Sequence, residues 1–270
     1  MKKEKVIITG AGGTLGQEFI KQLVKDCEVE AVDNNEWALA ELKEFKIPLF
    51  LMDFSEYPDY KLRGKTIIHC AAYKHVDLCE QNPDSCMDNN YYKSHQFYND
   101  ALDNKAKDFI FISTDKAVEP ESTYGVSKAS MEEIIVEDKL GKIIRLGNIY
   151  GSSGSVIPLW EKAIAEEKPL PITDLKMKRY FIPAADAVSK ILDLIPKMEQ
   201  GQIGIPAMGR EVTLAELKDK ILQIHGLDSV DYPIKVIGKR PGEKMQEKLV
   251  NDDEEEVLLC SSGKIYAKKV

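Results

Sequence analysis

Short runs of apolar, β-branched residues alternate with longer amphipathic stretches through the first half of the chain. The runs fall at Lys5 to Thr9, Val29 to Val32, Pro48 to Met52, Thr66 to His69, Phe109 to Ser113 and Lys142 to Leu146. Stretches that are apolar throughout, such as Val6-Ile7-Ile8 and Phe109-Ile110-Phe111-Ile112, suit strands covered on both faces by crossover helices. The pattern predicts an α/β fold with a doubly wound parallel sheet. After Gly151 the texture changes to Gly, Ser and Pro punctuation with two or three short helices and isolated strands. That change divides the chain into residues 1–150, which carry the sheet, and 151–270, a smaller lobe some of whose segments have room to return to the first domain.

Two later features are local. Thr213-Leu214-Ala215-Glu216 has the hydroxyl and carboxylate spacing of a capping box and predicts a helix start. Asn251 to Glu256 is an acidic run that reads as a solvated loop, since like charges repel and stay hydrated.

Composition narrows the function classes. The net charge of -8 argues against a polyanion-binding surface, so nucleic acid is not an expected partner. No apolar run is longer than a strand, and Met1-Lys2-Lys3-Glu4-Lys5 leads into Val6-Ile7-Ile8 without an apolar leader. No membrane association and a cytoplasmic location are expected. Cys27, Cys70, Cys79, Cys86 and Cys260 are odd in number and form no C-x-x-C pair, so they read as reduced thiols. Cys79 and Cys86 lie near His69 and His75 but lack compact ligand spacing, and no metal is expected.

The first strand runs into Thr9-Gly10-Ala11-Gly12-Gly13-Thr14-Leu15-Gly16, and a helical stretch follows from Thr14 to Lys25. That is the context of a pyrophosphate-binding loop. Side chains at Gly10 or Gly13 would obstruct the turn or the phosphate, and one at Gly16 would part helix from strand. Asp33 ends the second strand at the separation from which a carboxylate accepts the adenosine ribose hydroxyls. It favours NAD over NADP, because a 2′-phosphate would meet its charge and Asn34-Asn35-Glu36 offers no cation. Asp53 after the third strand is a candidate for the adenine amino group, or simply a turn residue.

Ser113-Thr114-Asp115-Lys116 ends another strand, and Tyr124-Gly125-Val126-Ser127-Lys128 opens a helical stretch. Tyr124 and Lys128 share a helix face at i and i+4. There the ammonium favours a phenolate that takes the proton of a substrate hydroxyl, while Lys128 also holds the nicotinamide ribose.

With these motifs the chain resembles the extended short-chain dehydrogenase/reductases, specifically the CapD-like nucleotide-sugar 4,6-dehydratases of polysaccharide biosynthesis. The resemblance covers nearly the whole chain. It includes Ala71-Ala72-Tyr73-Lys74-His75-Val76 with Asn82-Pro83, and Ser113 through Pro120 with Tyr124 and Lys128. It continues through Gly147-Asn148 to Pro158, Met177-Lys178-Arg179-Tyr180-Phe181 and Arg240-Pro241-Gly242-Glu243-Lys244. It implies a Rossmann-type domain and oxidation at C4 of a UDP-hexosamine such as UDP-GlcNAc by NAD or NADP. Loss of the C5 proton and 6-hydroxyl as water, then hydride return to C6, would follow. A C4 ketone serves this chemistry because it acidifies the C5 proton. Thr114 would hydrogen-bond the C4 oxygen and Asp115 with Lys116 would form the acid/base pair, with the assignment of each proton open.

The resemblance also places Ala71, Ala72 and Asn90 at the cofactor and Lys74 at the sugar, with His75 beside it. Arg179 and Arg240 are the candidates for the diphosphate, since guanidinium forks suit phosphate oxygens, with Asn148 donating and Glu243 accepting from the uridine ribose. Pairing of the helices around Asn90 and Tyr124 in relatives implies a homo-oligomer. Ser153 stands where many relatives carry Arg, and Lys93 where a small residue is common. These departures keep two further readings open: a nucleotide-sugar 4-epimerase or reductase, and a catalytically silent NAD-sensing protein.

Overall fold

The computed structural model describes residues 3–138 and 140–269. Six strands follow the apolar runs: β1 (Glu4–Thr9), β2 (Cys27–Asp33), β3 (Leu49–Leu51), β4 (Thr66–His69), β5 (Asp108–Thr114) and β6 (Lys142–Leu146). Between and around them lie α1 (Thr14–Leu23), α2 (Glu36–Ala40), α3 (Val76–Gln81), α4 (Pro83–Met87), α5 (Lys93–Asp103) and α6 (Thr123–Asp138). Beyond them come β7 (Asn148–Tyr150), α7 (Val156–Ala165), β8 (Leu170–Ile172), β9 (Lys178–Arg179), β10 (Phe181–Pro183), α8 (Ala184–Leu194) and β11 (Ile203–Pro206). The chain finishes with β12 (Val212–Thr213), α9 (Leu214–Ile224), β13 (Ile234–Val236), β14 (Glu254–Cys260) and β15 (Gly263–Lys268).

The main sheet has the order β14-β15-β11-β6-β5-β4-β1-β2-β3. It is parallel from β3 to β11 and closes with the antiparallel pairings of β15 and β14. Strand direction explains the apolar runs. Val6 and Ile8 of β1 join the core beneath α1 and α8, whereas Ile7 joins the opposite core with Phe97, Phe109 and Phe111. Each strand therefore needs apolar residues at successive positions rather than at alternate ones.

Strand order reverses beside β1, where Thr9 lies opposite both Val32 and His69. Gly10, Asp33 and the Cys70-Ala71 backbone consequently leave the sheet side by side, at the switch point where open α/β sheets bind ligands. His69 is fully buried between Thr9 Oγ1 at 2.7 Å and Ser94 Oγ at 3.0 Å. Burial pulls its pKa down to about 3, so the imidazole is a neutral hydrogen-bonding core group.

The second lobe has a core of its own, in which Trp160 of α7, Leu170 and Ile172 of β8 and Leu217 and Ile221 of α9 meet. Two segments beyond Gly151 return to the main sheet: α8 with β11, through Ala187, Val188, Ile191 and Leu194, and the β14–β15 hairpin. The capping box at Thr213 is present, with its hydroxyl accepting from Glu216 N at 3.1 Å. The acidic run differs from its expectation. Glu254 opens β14 and is buried, because Arg145 in the middle of β6 is fully buried and requires counter-charges.

Candidate active site

A cavity of about 960 Å³ runs from the glycine loop over the ends of β1, β4 and β5 to the second lobe. Its cofactor end is shaped by contacts that leave no room for a Cβ. One on Gly10, whose φ is 63°, would sit 2.7 Å from Ala71 N, and one on Gly16 would strike the Gly10 carbonyl. Gly12, Gly13, Thr14 and Leu15 complete this wall. Helix α1 starts after Gly13 with no side chain capping it, so its first-turn N–H groups are open to an anion. Asp33 Oδ2 accepts from Gly12 N at 2.9 Å and Oδ1 from Asn35 N at 2.8 Å, which fixes the carboxylate at the cavity wall with lone pairs to spare. This end fits a dinucleotide.

Three expected residues sit differently. Asn90 lies in a π-helical stretch, Asp88–Tyr92, that turns its fully buried side chain back toward Tyr73. It accepts from Tyr73 N and donates to Tyr73 O, each at 2.8 Å, so it holds the loop that carries Ala71, Ala72 and Lys74 into the cavity rather than lining it. Asp53 is likewise outside the lining. Its carboxylate accepts from Ser55 N, Ser55 Oγ and, at 2.8 Å, Lys93 Nζ. Burial pushes the Asp53 carboxyl upward, but these partners outweigh it and hold the group below its ordinary range. The long side chain at position 93 is what occupies that carboxylate. Asp115 is fully buried behind the wall.

The reacting end gathers the remaining residues. Thr114 Oγ1 donates to Asp115 Oδ1 at 3.0 Å, and Lys116 Nζ donates to the same oxygen at 2.9 Å. Asp115 Oδ2 has no partner among the described residues. Tyr124 stands beside Thr114. The phenolate expected from the Tyr124–Lys128 spacing is not favoured here: burial raises the phenol well above its ordinary value, and the Thr114 hydroxyl opposes that rise in part. Helix α6 comes this close because residue 125 is glycine, where a Cβ would collide with the Lys116 carbonyl. Lys128, 2% exposed, lies 3.8 Å over the Phe111 ring. Burial lowers it to about 7, against the pull of Glu132.

Arg179, Arg240, Glu243 and Ser153 of the second lobe line the cavity together with Asn148 of β7. Their donors are partly committed. Arg179 spends its guanidinium on the carbonyls of Lys178 and Lys244 at 2.7 Å and Met245 at 3.3 Å, thereby fixing the segment after Arg240. Glu243 Oε2 accepts from Arg240 N at 3.0 Å. Gly154, in the left-handed region, lets the second lobe close over the His75 ring. Lys74 also lines the cavity, and burial lowers its ammonium.

Glu247 lies beyond the last of the sequence motifs, which ends at Lys244. It is 2% exposed and lies beside Lys116 and Arg179. Neither its spacing nor the irregular segment around it distinguishes it in the sequence. Cys79 and Cys86 pack together against Tyr124, and all five cysteines are free. Among the described residues no group of three or more His, Cys, Asp or Glu is arranged to hold a metal, and no helix is long and apolar enough to cross a membrane.

A family model described as polysaccharide biosynthesis protein matches residues 6–269. An uncharacterized membrane protein of Methanocaldococcus jannaschii is 32% identical over 94% of this chain and 82% of its own. A UDP-N-acetylglucosamine 4,6-dehydratase (inverting) of Campylobacter jejuni is 30% identical over 93% of this chain and 79% of its own. Two further relatives, at 30% and 29% identity, are longer proteins of which this chain spans 46% each. Among solved structures, Pen from Bacillus thuringiensis superposes with a TM-score of 0.89 at 26% identity, over 99% of this chain and 89% of that one.

Proposed function

The chain belongs to the polysaccharide biosynthesis protein family, and from that membership we propose that it is an NAD-dependent nucleotide-sugar 4,6-dehydratase acting on a UDP-hexosamine such as UDP-GlcNAc. The observation that carries the reading is the joining of Asp115 to Lys116 at 2.9 Å beside Thr114 and Tyr124, on a cavity that also reaches the glycine loop. An epimerase needs only the Tyr124 end of that set. A dehydratase needs a second acid/base group for C5 and C6, and Lys116 lines the cavity where Asp115 does not.

The residues divide the work as follows. Gly10, Gly12, Gly13, Gly16 and the first turn of α1 hold the pyrophosphate, Asp33 the adenosine ribose and Lys128 the nicotinamide ribose. The dinucleotide, when bound, supplies a two-electron oxidation of C4 and returns the same electrons at C6. Tyr124 takes the C4 hydroxyl proton, with Thr114 hydrogen-bonded to the same oxygen. Lys116 takes the C5 proton, which the C4 ketone has acidified. Lys116 then passes that proton to the departing 6-hydroxyl, while Asp115, behind the wall, holds the Lys116 ammonium through Oδ1. Arg240, Asn148 and Glu243 bind the nucleotide diphosphate, while Arg179 reaches it only with the donors its backbone clamp leaves free.

Mass spectrometry of the products from UDP-GlcNAc tests the reading. A 4-keto-6-deoxy sugar lighter by one water is expected, and Tyr124→Phe should lower its rate by roughly 10²- to 10⁴-fold. Inversion at C4 without loss of mass would select the epimerase instead. A homo-oligomer in the cytoplasm belongs to the same proposal, read by sedimentation and by fractionation of cells.

A further inference from the structure

Glu247 is an acid that the reaction just described does not use. Its Oε1 lies 3.9 Å from Lys116 Nζ and 3.9 Å from Arg179 Nη2, and its Oε2 lies 3.8 Å from Lys244 Nζ. These are ion-pair separations rather than hydrogen bonds, and Oε2 has no hydrogen-bond partner among the described residues. A carboxylate this buried normally carries hydrogen bonds, because desolvation is otherwise uncompensated.

The three cations around it are not equivalent. Arg179 is engaged with the carbonyls of Lys178, Lys244 and Met245, and Lys244 Nζ donates to Val118 O at 2.7 Å. Lys116 makes one short hydrogen bond, to Asp115 Oδ1, and retains two more protons on the same nitrogen. It therefore stands between two carboxylates, bonded to one and about 1 Å short of a hydrogen bond to the other. Burial is the largest influence on Glu247 and raises its affinity for a proton, reinforced by Asp115 and opposed by Lys116, Arg179 and Lys244.

Resting on the dehydratase reading, we infer that Glu247 is a positioning residue that exchanges a proton with Lys116, leaving a neutral amine at the cavity to receive the C5 proton. In that exchange a Lys116 N–H bond breaks and a Glu247 O–H bond forms, with no change in net charge. The protons removed from the C4 hydroxyl and C5 are consumed in the departing water and in reprotonation of C5. The borrowed proton then returns to Lys116 and the cycle balances. The exchange matters once a nucleotide sugar fills the cavity, because Lys116 then has these two carboxylates, rather than bulk water, as its proton acceptors.

The experiment compares wild type, Glu247→Gln and Glu247→Asp with UDP-GlcNAc in D₂O. It follows nicotinamide reduction, which reads C4 oxidation, and deuterium entry at C5, which reads the Lys116 step. Glu247→Gln should leave nicotinamide reduction within about twofold while slowing deuterium entry on the order of 10²-fold. Its deuterium entry should also rise about tenfold per pH unit, because the amine must then lose its proton to solvent, where the wild-type rate is nearly flat over the same range. Glu247→Asp, which keeps a carboxylate, should restore much of the flat profile. Equal loss of both steps in Glu247→Gln, or wild-type deuterium entry, would overturn the assignment. Wild-type protein that neither reduces its nicotinamide nor forms a ketone would sink the dehydratase reading itself, and this assignment with it.

Discussion

Arg145 and Glu254 meet through two parallel hydrogen bonds, Nη1 to Oε2 and Nη2 to Oε1, both at 2.9 Å, with both side chains fully buried. The other side of the guanidinium is bidentate to Glu132 of α6, with Nη2 to Oε2 at 2.5 Å. Glu132 is one helical turn from Lys128 and is the first of the charges that counter its loss of a proton. The closing hairpin is thus joined through buried charges to the helix that carries Tyr124 and Lys128.

Removing one member should expose how much of the fold depends on that joint. In Glu254→Ala, Arg145 keeps Glu132 but loses its second counter-charge while still fully buried. A loss of about 3–5 kcal/mol is expected, the usual cost of breaking a buried pair from one side. Replacing all three charged residues with apolar ones of similar volume should cost much less. Denaturant midpoints for the single and triple variants check both statements.

The same joint shows where the sequence stops being legible. The sheet strands could be read because burial on both faces writes itself into consecutive residues, and the glycine loop because each glycine answers a local steric demand. Asp115, Lys116, Tyr124 and Lys128 lie close together in sequence, so their spacing alone marks them as one group. Arg145 and Glu254 are 109 residues apart, and Asp53 and Lys93 are 40 apart, so no spacing rule pairs them. An arginine inside the apolar run Lys142 to Leu146 was the available signal that a buried carboxylate had to exist somewhere. The acidic run from Asn251 supplied it, although taken alone that run looks like a solvated loop. Asn90 is in the same position: an inward turn of π-helix, invisible to helical periodicity, makes it a brace for Tyr73.

Lys128 should make stability depend on pH in a definite direction. Its folded value is lowered to about 7 from an ordinary lysine value near 10.4. Between those values the unfolded chain holds a proton that the native protein lacks, so this group makes stability rise with pH across that window. Below about pH 7 both states are protonated and the full cost of burying the ammonium remains. Lys128→Met should therefore be more stable than wild type at about pH 6, on the order of 1–3 kcal/mol, and the gap should narrow toward pH 9. The variant should be inactive. Denaturation at several pH values in the absence of nucleotide checks it, and a gap independent of pH would contradict it.

Lys93 occupies the carboxylate that the adenine amino group was expected to use. Lys93→Ala should free Asp53 without much effect on stability, because partly exposed ion pairs contribute roughly 0–1 kcal/mol. If Asp53 then meets the adenine, NAD should bind about two- to tenfold more tightly, the value of one recovered hydrogen bond. Titration calorimetry with NAD on both proteins measures this directly, and unchanged affinity would remove Asp53 from the cofactor site.

Gly125 offers the sharpest separation of binding from chemistry. Alanine is the better helix former by about 1 kcal/mol, so in an unconstrained helix Gly125→Ala would stabilise α6. Here the added methyl meets the Lys116 carbonyl and approaches Pro120 Cβ at 3.2 Å, and backbone cannot give way as the end of a side chain can. The helix must instead lift from the Asp115-Lys116 turn, at an expected net cost of about 1–3 kcal/mol. A displacement of that kind carries Tyr124 away from Thr114, and misplacement by about 1 Å costs on the order of 10²-fold in rate. The glycine loop and Asp33 lie across the sheet end from that contact and should be untouched. Gly125→Ala is therefore expected to keep the NAD binding that the glycine loop and Asp33 provide, losing at most the Lys128 contact at about two- to tenfold, while forming product on the order of 10²-fold more slowly, measured by calorimetry and by product mass on one preparation.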